Sequence, residues 1–258
     1  MERRTPSQRE LLRITNAEER ALDGATLDTI LDLQRTVERF AGQVERLLGR
    51  AITDQGGLAR LREGVNVGQQ LTAALIDAGL EDVAGLYAGR FNDVEVFARD
   101  YFTSWGFEPT RGGLDTYSLS SFVRFQEAAF LDLADARIVD PLRSAVMEGV
   151  VGNWTRKETL EHITDVMRER NILTRAGEGF TDHQIETLVN DGFRRYNREV
   201  KRQKAQALGF DVVWYQGPLD KKTRDQCRAM LTESPNGVPN MWHIEDFTAD
   251  LHPDLDED

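Results

Sequence analysis

The chain has 258 residues, of which 40% are hydrophobic and 29% are charged, and its net charge at neutral pH is −12. This composition is typical of a folded protein with a large polar surface, and it argues against a collagen-like, membrane-spanning or wholly disordered chain. The single cysteine, Cys227, excludes an intrachain disulfide and a zinc site built from several cysteines.

Apolar residues are not concentrated in any long segment of the chain. The N-terminal residues lack the apolar core and the cleavage site of a secretory signal, and no apolar run approaches the roughly 20 residues of a membrane span. We therefore expect the protein to be made in a cytoplasm and to act there first.

Charge is distributed unevenly. Residues 193–228 contain ten Lys and Arg against four Asp and Glu, a net charge of +6, which leaves −18 for the remainder. No lysine precedes Lys157, and residues 245–258 carry seven acids. These shifts, with Gly and Asn near residues 150–156, predict a helical region over 1–152, a second domain over 153–247 and a solvated acidic tail over 248–258.

Helical periodicity dominates the first 150 residues. Apolar residues from Leu27 to Leu48 recur at spacings of three, four and seven, which predicts a helix over 26–50. Similar patterns predict helices over 67–88, weakened in the middle by Gly79, and over 92–105, followed by a loop over 106–113. Another helix is expected from Ser118, with a kink or break at Pro141. Apolar stripes of this kind are typical of core or partner-helix packing, so they predict no cofactor site.

The second half has clearer helix boundaries. Thr155 and Glu158 fit a capping box, and Thr181 and Gln184 fit another at the start of a long helix. Gly209 is placed to end that helix in a left-handed conformation. Residues 210–215 are β-branched and aromatic, which predicts a strand packed on the long helix. The expected fold class is therefore mainly α, with a C-terminal α+β domain made of a long helix, a strand and a capped turn.

Residues 213–227 predict a strand, a tight turn and a capped helix. Gly217 and Pro218 suit the turn, and Asp220 is placed to accept a hydrogen bond from the backbone N–H of Thr223. Arg224 lies one turn further on, at the spacing for pairing with Asp220. A structural corner that is stabilised by its own hydrogen bonds and has no catalytic role would explain all of these residues.

The order Trp-Tyr-x-Gly-Pro-x-Asp-x-x-Thr-Arg-x-x-Cys resembles the signature of phage head morphogenesis proteins, the minor head proteins of the Mu protein F and SPP1 minor head protein type. The resemblance spans about residues 155–247. Its matching residues are Asn197, Gly209, Trp214, Gly217, Asp220, Thr223, Arg224, Cys227 and the Trp242–Asp246 run. Many relatives continue into a Gly-rich segment with another Cys and His, whereas residues 245–258 here are acidic, so the resemblance leads us to expect no metal or redox role for Cys227.

The resemblance implies a low-copy structural protein, not an enzyme, at the portal vertex of a tailed-phage capsid. Its role would be head assembly, DNA packaging or genome delivery. The implied partners are the portal protein, a major capsid or scaffolding protein, and DNA without sequence preference, with no cofactor and no membrane. The implied location is the host cytoplasm during assembly and the virion head afterwards.

Six basic residues lie opposite or beside the apolar stripe of the long helix: Arg194, Arg195, Arg198, Lys201, Arg202 and Lys204. They fit a solvated helix face, and they fit equally a surface that contacts DNA phosphates or an acidic portal surface. Such contact would be sensitive to salt and independent of sequence.

Two other functional classes remain open. Cys227, His243 and Asp220 could supply the nucleophile, base and orienting carboxylate of a DNA-processing enzyme or toxin-like domain, although nothing in their spacing requires them to meet. The four histidines fall into no metal-ligand spacing such as HExxH. The second class is a helical adaptor that binds the portal through its first half and has a passive second domain.

Overall fold

The structure is a computed structural model that describes residues 8–51, 58–104, 106–107, 112–172, 180–209, 212–214 and 241–243. Nearly all of these residues are helical. The helices are α1 (Gln8–Ala51), α2 (Leu58–Asp77), α3 (Leu80–Ser104), α4 (Thr116–Ala134), α5 (Asp140–Val151), α6 (Arg156–Glu169) and α7 (His183–Ala207), and a π-helical turn (Asp135–Val139) joins α4 to α5. Two strands, β1 (Val212–Trp214) and β2 (Met241–His243), complete the described elements.

The chain divides into two compact units. Unit 1 contains Met1–Pro109 and Thr116–Val200, and unit 2 contains Thr110–Asp115 and Lys201–Asp258. The boundary expected between residues 152 and 153 falls inside unit 1, because α6 and most of α7 belong to the same helical unit as α1–α5.

The prediction of a C-terminal α+β domain is wrong. Among the described residues, the apolar stripe of α7 packs on helices: the ring of Phe193 lies 5.2 Å from that of Tyr87 and 4.8 Å from that of Phe91, both on α3. The described strands are two three-residue segments that pair antiparallel with each other, with Val213 opposite Trp242. Periodicity predicted a buried face on α7 correctly, but it does not tell whether a sheet or other helices cover that face.

A cluster of buried aromatic rings joins three helices of unit 1. Tyr87 and Phe91 come from α3, Phe130 from α4, and Phe193 and Tyr196 from α7, and all five are buried. The Tyr87 and Phe130 centroids are 5.4 Å apart, and those of Phe91 and Tyr196 are 5.0 Å apart in an edge-on arrangement. Such ring pairs add to the free energy of burial itself, so the cluster fixes where α7 lies against α3 and α4.

Glycine and proline set the boundaries between helices. Gly79 has a φ of +107° and separates α2 from α3, so the single helix expected over 67–88 is two helices. The start of the first helix was also placed too late, because α1 begins at Gln8 and runs through Gly24. The interruption expected at Pro141 is confirmed: Pro141 lies in the first turn of α5, directly after the π-helical turn.

The caps of α6 and α7 follow different patterns. The capping box at α6 is confirmed, since the Thr155 hydroxyl accepts from the Glu158 N–H and the Glu158 carboxylate accepts from the Thr155 N–H at 2.7 Å. At α7 the box built on Thr181 is wrong, because Asp182 is the cap and its Oδ1 accepts from the N–H groups of Gln184 and Ile185. The left-handed end at Gly209, with φ +75°, is confirmed.

Candidate functional site

The basic segment of α7 is the one sequence-derived contact site that lies entirely within the described residues. Phe193, Tyr196, Asn197 and Val200 of this helix are buried, so the basic side chains between them emerge at different angles. The structure separates the six residues into groups with different surroundings.

Arg194 connects α7 to α1. Its Nη2 lies 3.0 Å from a carboxylate oxygen of Asp23, and its Nε donates to the side-chain oxygen of Asn190 at 2.9 Å. The guanidinium is therefore already engaged by a carboxylate, and a phosphate would have to compete with Asp23 for it.

Lys204 is buried rather than presented on a basic face. Its ammonium donates to the carbonyl oxygen of Gly112 at 3.0 Å, and the neighbouring Gln203, also buried, accepts from the backbone N–H of Asp115 at 2.7 Å. Both bonds lie within unit 2, where they hold residues 112–115 against the last turns of α7. The ammonium of Lys204 is therefore engaged by the backbone of this chain, and the contact role expected for it stays a prediction.

Lys201 and Arg202 are half-buried, and both take part in interactions within the chain. Arg202 donates to the side-chain oxygen of Gln206, one turn further along α7, at 3.1 Å. These two residues contribute positive charge to the helix but are not fully open to solvent.

Arg195 and Arg198 form what we term the arginine pair. Both are exposed, they lie three residues apart on one side of α7, and among the described residues neither has an ion-pair or hydrogen-bond partner. Asp191, one turn before Arg195, is exposed on the same side. Of the six basic residues that the sequence indicated, only Arg195 and Arg198 are therefore exposed on the helix surface, where an anion could contact them.

A buried polar network beneath α7 was not predicted. The Asn197 amide donates a short hydrogen bond to the carboxylate of Glu18 on α1, and both side chains are buried. The hydroxyl of the preceding residue, Tyr196, lies 3.5 Å from the carboxylate of Glu95, which is also 3.5 Å from Arg99 Nε. Because buried carboxylates are costly without such partners, this network fixes α7 against α1 and α3.

One signal for this network was present in the sequence. Asn197 was singled out by the resemblance to minor head proteins, and the structure places it at the contact between α7 and α1. Glu18 carried no signal, because the predicted helix began only at residue 26 and a glutamate in such a region is normally exposed.

Most of the C-terminal motif lies outside the described residues. These positions are Gly217, Pro218, Asp220, Thr223, Arg224 and Cys227. The strands on either side of the motif are described: Trp214, at the end of β1, is the register partner of Met241, at the start of β2. The alternative catalytic set is only partly placed, since His243 ends β2 while Cys227 and Asp220 lie outside the described residues.

Other polar groupings are small. At the α5–α6 corner, His162 Nε2 lies 2.9 Å from the Glu148 carboxylate, and the Trp154 ring meets the imidazole edge-on. In the part of the chain that the structure describes, no group of three or more His, Cys, Asp or Glu could hold a metal ion. No helix among the described residues is long and apolar enough to cross a membrane.

Comparisons of the chain with protein-family models, with curated proteins and with solved structures find no significant match.

Proposed function

We propose that this protein is a structural and assembly protein of a tailed-phage head, a minor head protein that acts at the portal vertex in capsid assembly, DNA packaging or genome delivery. The observation that carries the proposal is the sequence over residues 155–247, in which the motif residues follow the order found in minor head proteins. Its two aromatic segments are register partners, since Val213 of β1 lies opposite Trp242 of β2. The core of the motif, residues 217–227, therefore lies in the chain between two strands that pair with each other.

The architecture of unit 1 also supports a structural role. Three of its helices, α3, α4 and α7, share an aromatic cluster, and hydrogen bonds such as that between Asn197 and Glu18 connect segments that are distant in the sequence. A compact helical unit of this kind can hold partner-binding surfaces in fixed positions. The arginine pair on α7 then offers a local cationic surface on an otherwise acidic protein, suited to DNA phosphates or to acidic side chains of a portal subunit.

The experiment is to measure binding of the full chain to the purified portal protein and to duplex DNA over a range of salt concentrations. Arg195→Gln combined with Arg198→Gln should leave folding unchanged and weaken salt-sensitive binding. If both arginines contact phosphates, the slope of log K against log salt should fall by about two.

The matched control replaces two exposed arginines elsewhere in unit 1, Arg124→Gln with Arg168→Gln. These changes remove the same charge and should alter the slope much less. If the arginine-pair variant keeps the affinity and the slope of the parent protein for both partners, the contact role is wrong.

A further inference from the structure

The N-terminal part of α1 buries few side chains. Between residues 13 and 21 the buried side chain is that of Glu18, whereas seven side chains are buried between residues 29 and 41. We term residues 13–23 the α1 arm. Segments that bury little surface open at a lower free energy than the core of the same domain. We therefore expect the α1 arm to separate from unit 1 more readily than residues 29–41.

A weak point of the helix follows the α1 arm directly. Gly24 lies inside α1, although a Cβ added to it would meet no atom within 4 Å and its φ is not positive. Glycine in a helix interior lowers helix stability relative to alanine. The hydroxyl of Thr26 donates to the carbonyl oxygen of Leu22 at 3.0 Å, and that of Thr29 donates to the carbonyl oxygen of Ala25 at 2.8 Å. Because such bonds to the preceding turn often accompany bends in helices, this stretch is suited to act as a hinge.

Polar contacts hold the α1 arm to α7. The amide of Asn197 donates to the buried carboxylate of Glu18, and Nη2 of Arg194 lies 3.0 Å from a carboxylate oxygen of Asp23. The side chains of Asp23 and Arg194 are 67% and 38% exposed, and an exposed ion pair contributes little to stability. Water can replace both contacts when the arm separates, so the opening costs less than the separation of an apolar helix face.

Asp23 covers part of the basic surface of α7. Arg194 lies beside the arginine pair, and at 100° per residue the three arginines fall within an arc of about 100° around the helix. Asn190 accepts from Nε of Arg194 at 2.9 Å, so the guanidinium stays oriented while Asp23 occupies its Nη2 edge. Asp191 is the exposed carboxylate that α7 itself places on this arc. Removal of Asp23 therefore leaves three arginines beside one carboxylate.

We infer that the α1 arm is an autoinhibitory strap over the anion-contact surface of α7. In the closed arrangement Asp23 occupies Arg194. When the arm bends away at Gly24, the guanidinium of Arg194 joins the arginine pair, and three guanidinium groups instead of two meet the phosphate or carboxylate oxygens of the partner. The inference rests on the contact role proposed for the arginine pair, and it adds the regulation of that site.

The strap couples two distant contacts. A partner that binds the open arrangement more tightly shifts the α1 arm toward it, and by reciprocity a change that opens the arm tightens binding of the partner. Glu18 therefore affects anion binding although it contacts no arginine of the surface. This coupling distinguishes a strap from simple competition between Asp23 and the anion.

The first test measures binding of the full chain to duplex DNA of about 20 base pairs and to polyglutamate, over a range of salt concentrations. Asp23→Asn should tighten binding at low salt by at least about threefold, and with DNA the slope of log K against log salt should become steeper by about one. Tighter binding of DNA alone would assign the surface to phosphates, and tighter binding of polyglutamate alone would assign it to carboxylates. Either result supports the strap.

The matched control for charge is Asp28→Asn. Asp28 is an exposed carboxylate of α1 beyond Gly24, turned by about 140° from Asp23 around the helix axis. This variant has the same net charge as Asp23→Asn and should keep the slope of the parent protein. Glu18→Ala leaves the pair of Asp23 and Arg194 unchanged in sequence, and it should still tighten binding because it loosens the arm.

The second test measures opening of the α1 arm without a partner, by hydrogen exchange of the backbone amides followed by mass spectrometry. Residues 13–23 should exchange faster than residues 29–41, and Glu18→Ala should increase the rate in the arm. Gly24→Ala should lower that rate by about threefold, because alanine stabilises the helix at the hinge. Gly42→Ala, where a Cβ also meets no atom within 4 Å, should leave the rate in the arm unchanged.

Two results would overturn the strap alone. They are exchange of the α1 arm as slow as that of residues 29–41, and equal binding by Asp23→Asn and Asp28→Asn while Arg195→Gln with Arg198→Gln weakens it. A third result, binding of neither probe by the parent protein or any variant, would overturn the contact role of the arginine pair and the regulation with it, even if exchange shows that the arm opens.

Discussion

Gly192 shows how a single position controls the packing of α7. A Cβ built on this residue would lie 2.3 Å from the Tyr87 hydroxyl oxygen and 2.8 Å from the side-chain oxygen of Gln126. Those two groups are themselves hydrogen-bonded at 3.2 Å and buried, and burial raises the pKa of Tyr87 above its ordinary value. Only glycine leaves room for this pair beneath the helix, a requirement that the local sequence of α7 does not reveal.

We therefore expect Gly192→Ala to lower the free energy of unfolding by about 1–3 kcal/mol, because the methyl group forces the Tyr87–Gln126 pair to shift. Urea unfolding measures the change. Gly42→Ala is the control, since its Cβ would meet nothing within 4 Å, and it should stabilise the protein by about 0.5–1 kcal/mol. Equal midpoints for the two variants would contradict the packing described for Gly192.

The stability that the Glu158 side chain contributes depends on pH. The backbone N–H and the hydroxyl of Thr155 donate to its carboxylate and hold the pKa of Glu158 below its ordinary value. A carboxyl whose pKa is lowered on folding adds stability above its unfolded-state pKa, and that stability is lost as the pH falls through the folded-state value.

Glu158→Ala should therefore be less stable than the parent protein at neutral pH, and the difference should vanish at pH values below the range where glutamate ionises. Thermal unfolding across this pH range measures it. Ser120→Ala replaces an exposed, uncharged side chain on α4 and should show no such convergence in acid. A difference that persists undiminished in acid would contradict the charge-dependent part of the cap.

At the scale of the elements, the π-helical turn and the start of α7 are tied together by Asp182. One oxygen of this carboxylate caps α7, and the other lies 2.7 Å from Nε of Arg137, which the π-helical turn presents. Arg137 is the middle residue of this π-helical turn, so the ion pair connects the interruption before Pro141 to the start of α7.

Asp182→Ala should cost about 1–3 kcal/mol of stability, because it removes a helix cap and leaves a partly buried arginine without its carboxylate. Asp182→Asn can keep the cap and should cost less. A double-mutant cycle with Arg137→Gln, followed by urea unfolding, isolates the pair. Additive effects of the two single changes would show that Arg137 and Asp182 are not coupled.

The elements also show how far the sequence could predict the fold. The α6 capping box was predictable because both partners lie within four residues, and the left-handed end at Gly209 was predictable because it depends on one residue. The surroundings of Arg194 and Lys204 were not, since Asp23 and Gly112 lie 171 and 92 residues away along the chain. A pattern of charged residues beside an apolar stripe indicates solvent unless such distant partners are known.

At the scale of the whole molecule, the position at which the chain divides into two units differs most from the sequence-based prediction. The composition shift near residues 150–156 indicated a domain boundary, yet α6 and α7 up to Val200 are packed with the preceding helices. Charge composition reports the polarity of a surface, whereas the boundary depends on which apolar faces cover each other. The aromatic rings of α7 pack on the rings of α3. The periodicity of a sequence shows that a helix has a buried face, but not which other helix covers that face.

The proposed head-assembly role is a claim about location. Its most direct test is to isolate assembled heads from cells infected by the phage that carries a tagged copy of this chain, cross-link them chemically and identify the linked peptides by mass spectrometry. The proposal predicts that the chain purifies with the heads in a low number of copies and is cross-linked to the portal protein. Heads that contain all other structural proteins but lack this chain would contradict it.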